Sequence, residues 1–456
     1  MRVTAAAILF GGVHATAAQG QELAERYRGV ANRLIEAALG DSAAYERLGT
    51  LVDRFGHRFS GSESLERAID WILDEMRSDG LANVRGEPVM VPHWVRGEES
   101  AALVSPRAME LAMLGLGGSI GTPPEGITAE VLVVESFEEL EARAAEASGR
   151  IVLFDAPFTS YGETVQYRSG GAIAAARAGA VASLIRSVAS YSMRTPHTGG
   201  MRYEDGVPRI PHAALTVEDA AMLHRMQERG ERIVVRLTMN AQTLPPVQSR
   251  NVVAEIVGSE FPDEVVVMGG HIDSWDVGQG AMDDGGGCVA AWEALRLIHT
   301  LGLRPKRTIR VVLWTNEENG LAGGNGYRDA HRAEVDKHVL AMESDNGVFR
   351  PRGFAFNGSD EAFAILEPVV RLLEPIGADS LARGGGGADI GPIMELGVPG
   401  MSPIVDGSRY FWFHHSNADT VDKLDPRELA QVVAGMAVMA YVVADLPEPL
   451  PRAAAR

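Results

Sequence analysis

Three apolar runs in the second half of the chain are each followed directly by polar and acidic residues. The runs are VVVM at 265–268, TIRVVLW at 308–314 and HVLAM at 338–342. Amphipathic stretches of helical length separate them, and this alternation is typical of parallel strands joined by crossover helices. The pattern therefore predicts an α/β fold with a mixed, mostly parallel sheet and helices on both faces.

Residues 22–80 show helical spacing instead. One apolar face passes through Leu34 and Ile35 and another through Ile69 and Ile72. We expect these helices to pack on the predicted sheet.

Residues 98–243 differ again, because short strand-like runs at 129–134, 150–154 and 182–185 accompany one Ala-rich helix at 172–178. We interpret this segment as an inserted α+β domain. Its His197 and His212 stand alone, and isolated histidines are more often structural than ligands. The predicted catalytic parts are then residues 19–97 and 244–446, followed by a flexible tail at 447–456.

Histidine and carboxylate side chains collect after the three apolar runs. In chain order the candidates are His271, Asp283, Glu317, Glu318 and Asp345, with His415 in a later aromatic-rich loop. Ligands bind outside the carboxyl ends of parallel strands, so these residues predict one site. For the first cluster alone, the alternative is a solvated acidic turn with a chance histidine.

These residue types are the ligands that zinc prefers. Two histidines and three carboxylates suit two ions about 3.5–4 Å apart better than a single tetrahedral ion, with one carboxylate shared between them. One glutamate would remain as a base. Manganese or cobalt could occupy a similar site.

The chain has 456 residues and a net charge of −19, which argues against nucleic acid as a partner. Its length favours two domains over one. Cys288 is the single cysteine, so no intrachain disulfide is possible, and we expect it to be a small buried residue.

The first residues combine an early arginine, an apolar run and a small-residue end at 15–18. This layout predicts a signal peptide at residues 1–18 and a secreted or periplasmic protein. The alternative is a buried or membrane-anchoring helix, but the run is short and contains two glycines and a histidine. No other stretch resembles a transmembrane segment.

Five motifs together resemble those of the co-catalytic dizinc exopeptidases, which include bacterial leucyl aminopeptidases and glutamate carboxypeptidase. They are HIDSW at 271–275, GAMDDGGG at 280–287, NEENGLAGG at 316–324, ESDNG at 343–347 and HHSNADT at 414–420. RFSGSES at 58–64 resembles the family more weakly. The resemblance implies the zinc exopeptidase fold, a short peptide substrate and a homodimer. It also implies that residues 98–243 resemble a protease-associated domain that covers the active site as a lid.

The resemblance further implies a role for each ligand. Asp283 would bridge two Zn²⁺ ions. His271 and Asp345 would hold one ion, and Glu318 and His415 the other.

The remaining roles also follow from the resemblance. Glu317 would be the general base, and Asp273 would accept a hydrogen bond from the far ring nitrogen of His271. His415 matches better than His414, because the family's ligand lies four residues before the acid of an Asp-Thr pair. The family often has asparagine where this chain has Asp284, which changes the local charge but not the ligand set.

Substrate recognition has weaker signals. Arg409, next to Tyr410, offers a planar fork for a carboxylate, although a structural ion pair with Asp406 or Asp419 is an equal alternative. Asp389 would be a pocket acid, and Gly386 lies in a glycine run that leaves the backbone open to close approach.

Three other functions are open. One is a zinc aminopeptidase of broader specificity, and another is a metal-dependent acyl-transfer enzyme. The third is a receptor-like relative that has lost catalysis.

Overall fold

A computed structural model describes residues 11–453 of the chain. The strands of this part are β1 (Ala82–Val95), β2 (Glu99–Ser105), β3 (Met109–Leu111), β4 (Met113–Gly115), β5 (Ile127–Val134), β6 (Ile151–Phe154), β7 (Ala182–Arg186), β8 (His212–Leu215), β9 (Val234–Met239), β10 (Gln242–Ile256), β11 (Phe261–His271), β12 (Arg307–Trp314), β13 (His338–Glu343), β14 (Pro351–Asn357), β15 (Ser380–Arg383) and β16 (Gly400–Val405). The α-helices are α1 (Gly11–Gly40), α2 (Ala43–Phe55), α3 (Glu63–Ser78), α4 (Phe137–Ala142), α5 (Ala144–Ala147), α6 (Tyr161–Arg177), α7 (Val217–Glu228), α8 (Gly286–Thr300), α9 (Ala322–Ala330), α10 (Asp360–Val370), α11 (Gly391–Met394), α12 (Tyr410–Phe413) and α13 (Pro426–Asp445).

The first sheet has the strand order β1-β10-β12-β11-β13-β16-β14-β15. Its four central strands, β12, β11, β13 and β16, are parallel. The antiparallel pairs lie towards the edges, and they are β1 with β10, β10 with β12, and β14 with β16. This is the mixed, mostly parallel sheet that the alternating pattern predicted.

Both faces of the first sheet are covered, which explains its continuous apolar strands. Val266 and Met268 of β11 join the large core that contains α1, α8 and α13. Val265 and Val267 point the other way and join a smaller core with α9 and α11. The predicted α/β architecture is therefore confirmed.

The amino-terminal helices pack as their periodicity indicated. Leu34 and Ile35 of α1 and Ile69 and Ile72 of α3 are all buried in the large core. The side chain of Ser62 caps α3 by accepting a hydrogen bond from the Leu65 N–H. The first ten residues of the predicted signal peptide lie outside the described residues, and the backbone of its remainder is the start of α1.

The second sheet lies between β1 and β10 in the chain and has the order β3-β2-β9-β5-β6-β7-β8-β4. Strands β5 to β8 are parallel and their apolar residues form two cores of their own. Because β1 and β10 pair as far as Val95 and Gln242, the chain leaves and re-enters the first sheet at neighbouring positions.

Helix α13 and the residues that follow it form the carboxyl end of the described chain. One described helix, α13, is long and apolar enough to cross a membrane, but 83% of its most apolar window is buried inside the protein. Residues 447–456 are the predicted flexible tail. In the described part of this tail, Leu450 is buried and Arg452 donates a hydrogen bond to the His338 carbonyl at 2.8 Å.

Candidate metal centre

Three neighbouring parallel strands bring the predicted ligands to one edge of the first sheet. His271 is the last residue of β11, which lies between β12 and β13. Glu317 and Glu318 follow the end of β12, and Asp345 follows the end of β13. These residues therefore share the carboxyl edge at which ligands are expected.

A glycine before His271 allows a close approach behind the site. A Cβ atom on Gly270 would stand 2.2 Å from Asp284 Oδ2. In that space Asp284 accepts hydrogen bonds from the backbone N–H groups of His271 and Gly287, each at 3.1 Å. Burial raises the pKa of Asp284 well above its usual range.

The first ligand group, called here the His271 half, contains His271, Asp345 and one oxygen of Asp283. The His271 Nε2 atom lies 3.2 Å from Asp345 Oδ1 and 3.2 Å from Asp283 Oδ1. Its Nδ1 atom donates to the backbone carbonyl of Asp273 at 3.0 Å. That bond orients the ring so that Nε2 faces the carboxylates.

The expected role of Asp273 needs a correction. Its carboxylate lies 3.7 Å from His271 Nδ1, which is too far for a hydrogen bond, and the backbone carbonyl takes its place. The carboxylate instead accepts from the N–H groups of Glu317 at 3.0 Å and Glu318 at 3.3 Å. The turn after β12 presents these N–H groups to the buried carboxylate, so Asp273 positions the two glutamates.

The second group, called here the His415 half, contains Glu318, His415 and the other oxygen of Asp283. The His415 Nε2 atom lies 3.0 Å from Glu318 Oε2 and 3.3 Å from Asp283 Oδ2. His414 stacks on His415 with ring centroids 3.5 Å apart, and its Nε2 atom is 3.7 Å from the same Asp283 oxygen. The structure thus places a second imidazole here, that of His414, which matches the family's ligand position less well than His415.

Asp283 belongs to both halves, since each of its oxygens faces a different histidine. Its Oδ2 atom is buried and makes no hydrogen bond within the described residues. The Asp419 carboxylate fixes the surrounding backbone by accepting from the N–H groups of Met282 at 2.7 Å and Asp283 at 3.2 Å. An oxygen with no other partner, held this firmly, is suited to bind a cation.

The charges at the site also fit bound metal ions. Burial, together with neighbouring carboxylates, raises the pKa of Glu317 well above its usual range and that of Glu318 to about 7. Although burial opposes it, the carboxylates of Glu318 and Asp283 raise the pKa of His415 to about 9. Buried anions need paired cations or metal ions. Imidazole nitrogens and carboxylate oxygens in two groups match the donors that zinc takes.

Arg58, in the motif that resembled the family weakly, supports the loop between the ligands. It is fully buried and donates hydrogen bonds to the carbonyls of Ile272, Gln279 and Gly280 at 2.8, 2.9 and 2.8 Å. These bonds fix the loop that carries Asp273 and leads to the bridging position.

Residues of helix α6 and of the loop between β7 and β8 contact the His415 half, and sequence reasoning missed them. The His197 Nδ1 atom donates to the His414 carbonyl at 2.6 Å, and the Thr198 N–H donates to the His415 carbonyl at 2.9 Å. Arg168 Nη1 lies 3.4 Å from His415 Nδ1. Nothing local marks these residues, because their partners lie more than 200 positions away in the chain.

Arg409 forms no ion pair with Asp406 or Asp419, the two partners predicted as alternatives to substrate binding. Asp406 pairs with Arg352 at 2.9 Å, and Asp419 is occupied by backbone N–H groups. The Arg409 guanidinium lies instead 3.5 Å from Glu428, with its side chain 40% exposed.

The other substrate candidates occupy different surroundings. Tyr410 lies beside His414 at a ring-centroid distance of 5.1 Å, and burial raises the pKa of its hydroxyl well above the usual range. Asp389 is buried, and neither of its carboxylate oxygens makes a hydrogen bond within the described part. Burial and then the neighbouring Glu343 raise its pKa well above the usual range. Gly386, at φ +137°, lines an open cleft next to Met394.

Known proteins resemble this chain in sequence and in fold. The family model described as peptidase family M28 matches residues 251–440. Carboxypeptidase Q from Mus musculus is 53% identical over 93% of this chain and 91% of that protein. The crystal structure of a peptidase M28 precursor from Shewanella amazonensis SB2B is 38% identical, with a TM-score of 0.91 over 95% of this chain and 100% of that one.

A zinc aminopeptidase from Bacillus subtilis shares the fold at 20% identity, with a TM-score of 0.67 over 90% of this chain and 98% of that one. The fold and the clustered imidazole and carboxylate ligands define a zinc metallopeptidase. The chain belongs to peptidase family M28.

Proposed function

We propose that this chain is an exopeptidase that hydrolyses dipeptides or short peptides in the manner of carboxypeptidase Q, with two Zn²⁺ ions per chain. The observation that carries the proposal is the position of Asp283, whose two oxygens face two separate histidine and carboxylate pairs. A carboxylate between two such groups suits a pair of ions that share it. The 53% identity to carboxypeptidase Q over nearly the whole chain supports the substrate class.

Glu317 is the general base in this proposal. The Asp273 carboxylate accepts a hydrogen bond from the backbone N–H of Glu317, and the Glu317 carboxylate belongs to neither ligand half. The His271 half and the His415 half would each hold one zinc ion, and the bound ions would supply the Lewis acidity that lowers the pKa of a water molecule and stabilises negative charge on the carbonyl oxygen. Glu317 takes the proton from the attacking water and returns it to the leaving amine.

Four residues are proposed to hold the substrate's ends: Asp389, Arg409, Tyr410 and Gly386. Asp389 has two unbonded carboxylate oxygens that could meet an ammonium group. Arg409 has a partly exposed guanidinium that could meet a carboxylate. Tyr410 lies close to the carboxylates of the site, and Gly386 leaves its backbone open on the cleft.

Each of the three alternative functions would require a different set of residues at the site. An aminopeptidase of broader specificity would use the same metal ligands and needs only a site for the amine. An acyl-transfer enzyme would need no hydrolytic base, whereas Glu317 and Glu318 are both present. A receptor-like relative would have lost ligands, and the described chain keeps them all.

A panel of blocked dipeptides combined with metal analysis tests the proposal. We expect two zinc ions per chain and hydrolysis of dipeptides with a free carboxyl end. Preference for carboxyl-amidated over amino-blocked dipeptides would instead indicate the aminopeptidase. Pyroglutamate formation from glutamine-terminated peptides, without hydrolysis, would indicate acyl transfer.

We further propose that residues 98–243 form an inserted, protease-associated-like domain, that the chain is secreted or periplasmic, and that it forms a homodimer. The second sheet, with its own cores, supports the first of these. Amino-terminal sequencing of the exported protein and light scattering of the purified protein would test the other two.

A further inference from the structure

We infer that residues 196–200, in the loop between β7 and β8, are part of the metal centre. They position His415, so that the ion of the His415 half depends on this segment and the ion of the His271 half does not. The inference rests on the proposed two-ion site. It goes beyond that proposal because it assigns His197 and Thr198 as positioning residues.

The first observation is that the loop between β7 and β8 pairs with the turn after α12. His197 and Ser416 form an antiparallel bridge. The Thr198 N–H donates to the His415 carbonyl at 2.9 Å, and the His197 ring donates to the His414 carbonyl at 2.6 Å. Every residue from 414 to 416 is therefore held by the 196–200 segment.

The second observation is that His415 needs such support. Its φ is +58°, a left-handed conformation that residues with a side chain rarely adopt unless their surroundings impose it. The helix before it, α12, has four residues. His271, in contrast, ends the eleven-residue strand β11, which is paired with strands on both sides.

The third observation is that the segment itself is anchored within the second sheet. Thr198 Oγ1 donates to the Gly115 carbonyl at 2.8 Å. The His197 N–H donates to Ser187 Oγ at 2.9 Å, and Ser187 in turn donates to the Leu215 carbonyl at 2.6 Å. Both His197 and Thr198 are buried. The segment is thus a fixed support for the turn that carries His415.

Zinc binding to the full-length protein tests the inference directly. Metal-free protein is titrated with Zn²⁺ alone at buffered free concentrations, and bound zinc per chain is measured by atomic emission. We expect His197→Leu to weaken the binding of one ion by at least tenfold while the other ion keeps its affinity. His197→Asn retains an N–H donor near the Nδ1 position and should bind both ions almost as the parent does.

His224→Leu is the matched control, because His224 is a histidine of the same region that pairs with Asp155 at 2.8 Å rather than with the metal loop. It should bind two ions with the parental affinities. Ser187→Ala loosens the same segment without removing a buried ring and should weaken one ion severalfold. It decides the matter if His197→Leu does not fold.

Parental binding of both ions by folded His197→Leu, or by Ser187→Ala in its place, would overturn the inference. Equal weakening of both ions would overturn it as well. A parent protein that binds one ion per chain is a different outcome, since it would refute the two-ion function itself.

Discussion

The two halves of the metal centre are built in different ways. The His271 half comes from the ends of two adjacent parallel strands, and a carbonyl two residues away orients its histidine. The His415 half combines a glutamate after β12 with a histidine on an irregular turn, supported by a segment more than 200 residues distant. One candidate site therefore contains a half placed by the pairing of neighbouring strands and a half that lies on a turn in contact with a distant segment.

Removal of the residue that the halves share should have the largest effect. We expect Asp283→Ala to lose both ions and all measurable activity, because each half loses a ligand and the ions lose the anion between them. Zinc analysis and dipeptide hydrolysis measure this. An active variant with full zinc content would show that the halves do not share Asp283.

The two adjacent glutamates should separate chemistry from metal binding. We expect Glu317→Gln to keep both ions and to lower kcat by about 10²–10⁴-fold, because the amide cannot take a proton. Glu318→Gln should lose only the ion of the His415 half. A reversal of these two results would mean that base and ligand had been exchanged.

A pH experiment probes the strand that supports the His271 half. His338 begins β13, its Nε2 atom accepts from the Tyr327 hydroxyl at 2.8 Å, and burial lowers the pKa of His338 to about 4. This folded pKa lies below the unfolded value of about 6.5. The stability that His338 contributes is therefore present above pH 6.5 and is lost as the pH falls towards 4. Between pH 7 and 5 the loss should be about 2 kcal/mol.

His338→Gln, which keeps an acceptor for Tyr327, should remove this part of the pH dependence. Urea unfolding of parent and variant at pH 7 and pH 5 gives the difference directly. Identical pH profiles for the two proteins would contradict the prediction.

The smallest expected effect concerns Arg409. If it binds the substrate carboxylate, Arg409→Ala should raise KM for free dipeptides about tenfold while leaving carboxyl-amidated substrates unchanged. Glu428→Gln, which removes the observed partner of Arg409 without removing the cation, is the control. Equal losses on both kinds of substrate would make Arg409 a structural residue.

The same division explains what could be predicted from sequence. Apolar runs that end in His271 and Asp345 identify a sheet edge, because strand direction and spacing are local properties. The acceptor for His271 was assigned to the wrong atom of Asp273, since side-chain and backbone oxygens of one residue cannot be distinguished from spacing. His197 is expected to be structural and not a ligand, but its contact with the metal loop could not be predicted, because its partner is the His414 backbone carbonyl and carries no side-chain signal.

The neighbouring ends of β1 and β10 determine what a shortened chain would lose. The chain leaves the first sheet at Val95 and returns at Gln242, which are paired residues, so a short link between them would not break a hydrogen bond of the first sheet. Such a deletion would also remove His197 and Thr198, which donate to the carbonyls of His414 and His415. The shortened chain would therefore keep its first sheet and lose the support of the turn that carries His415.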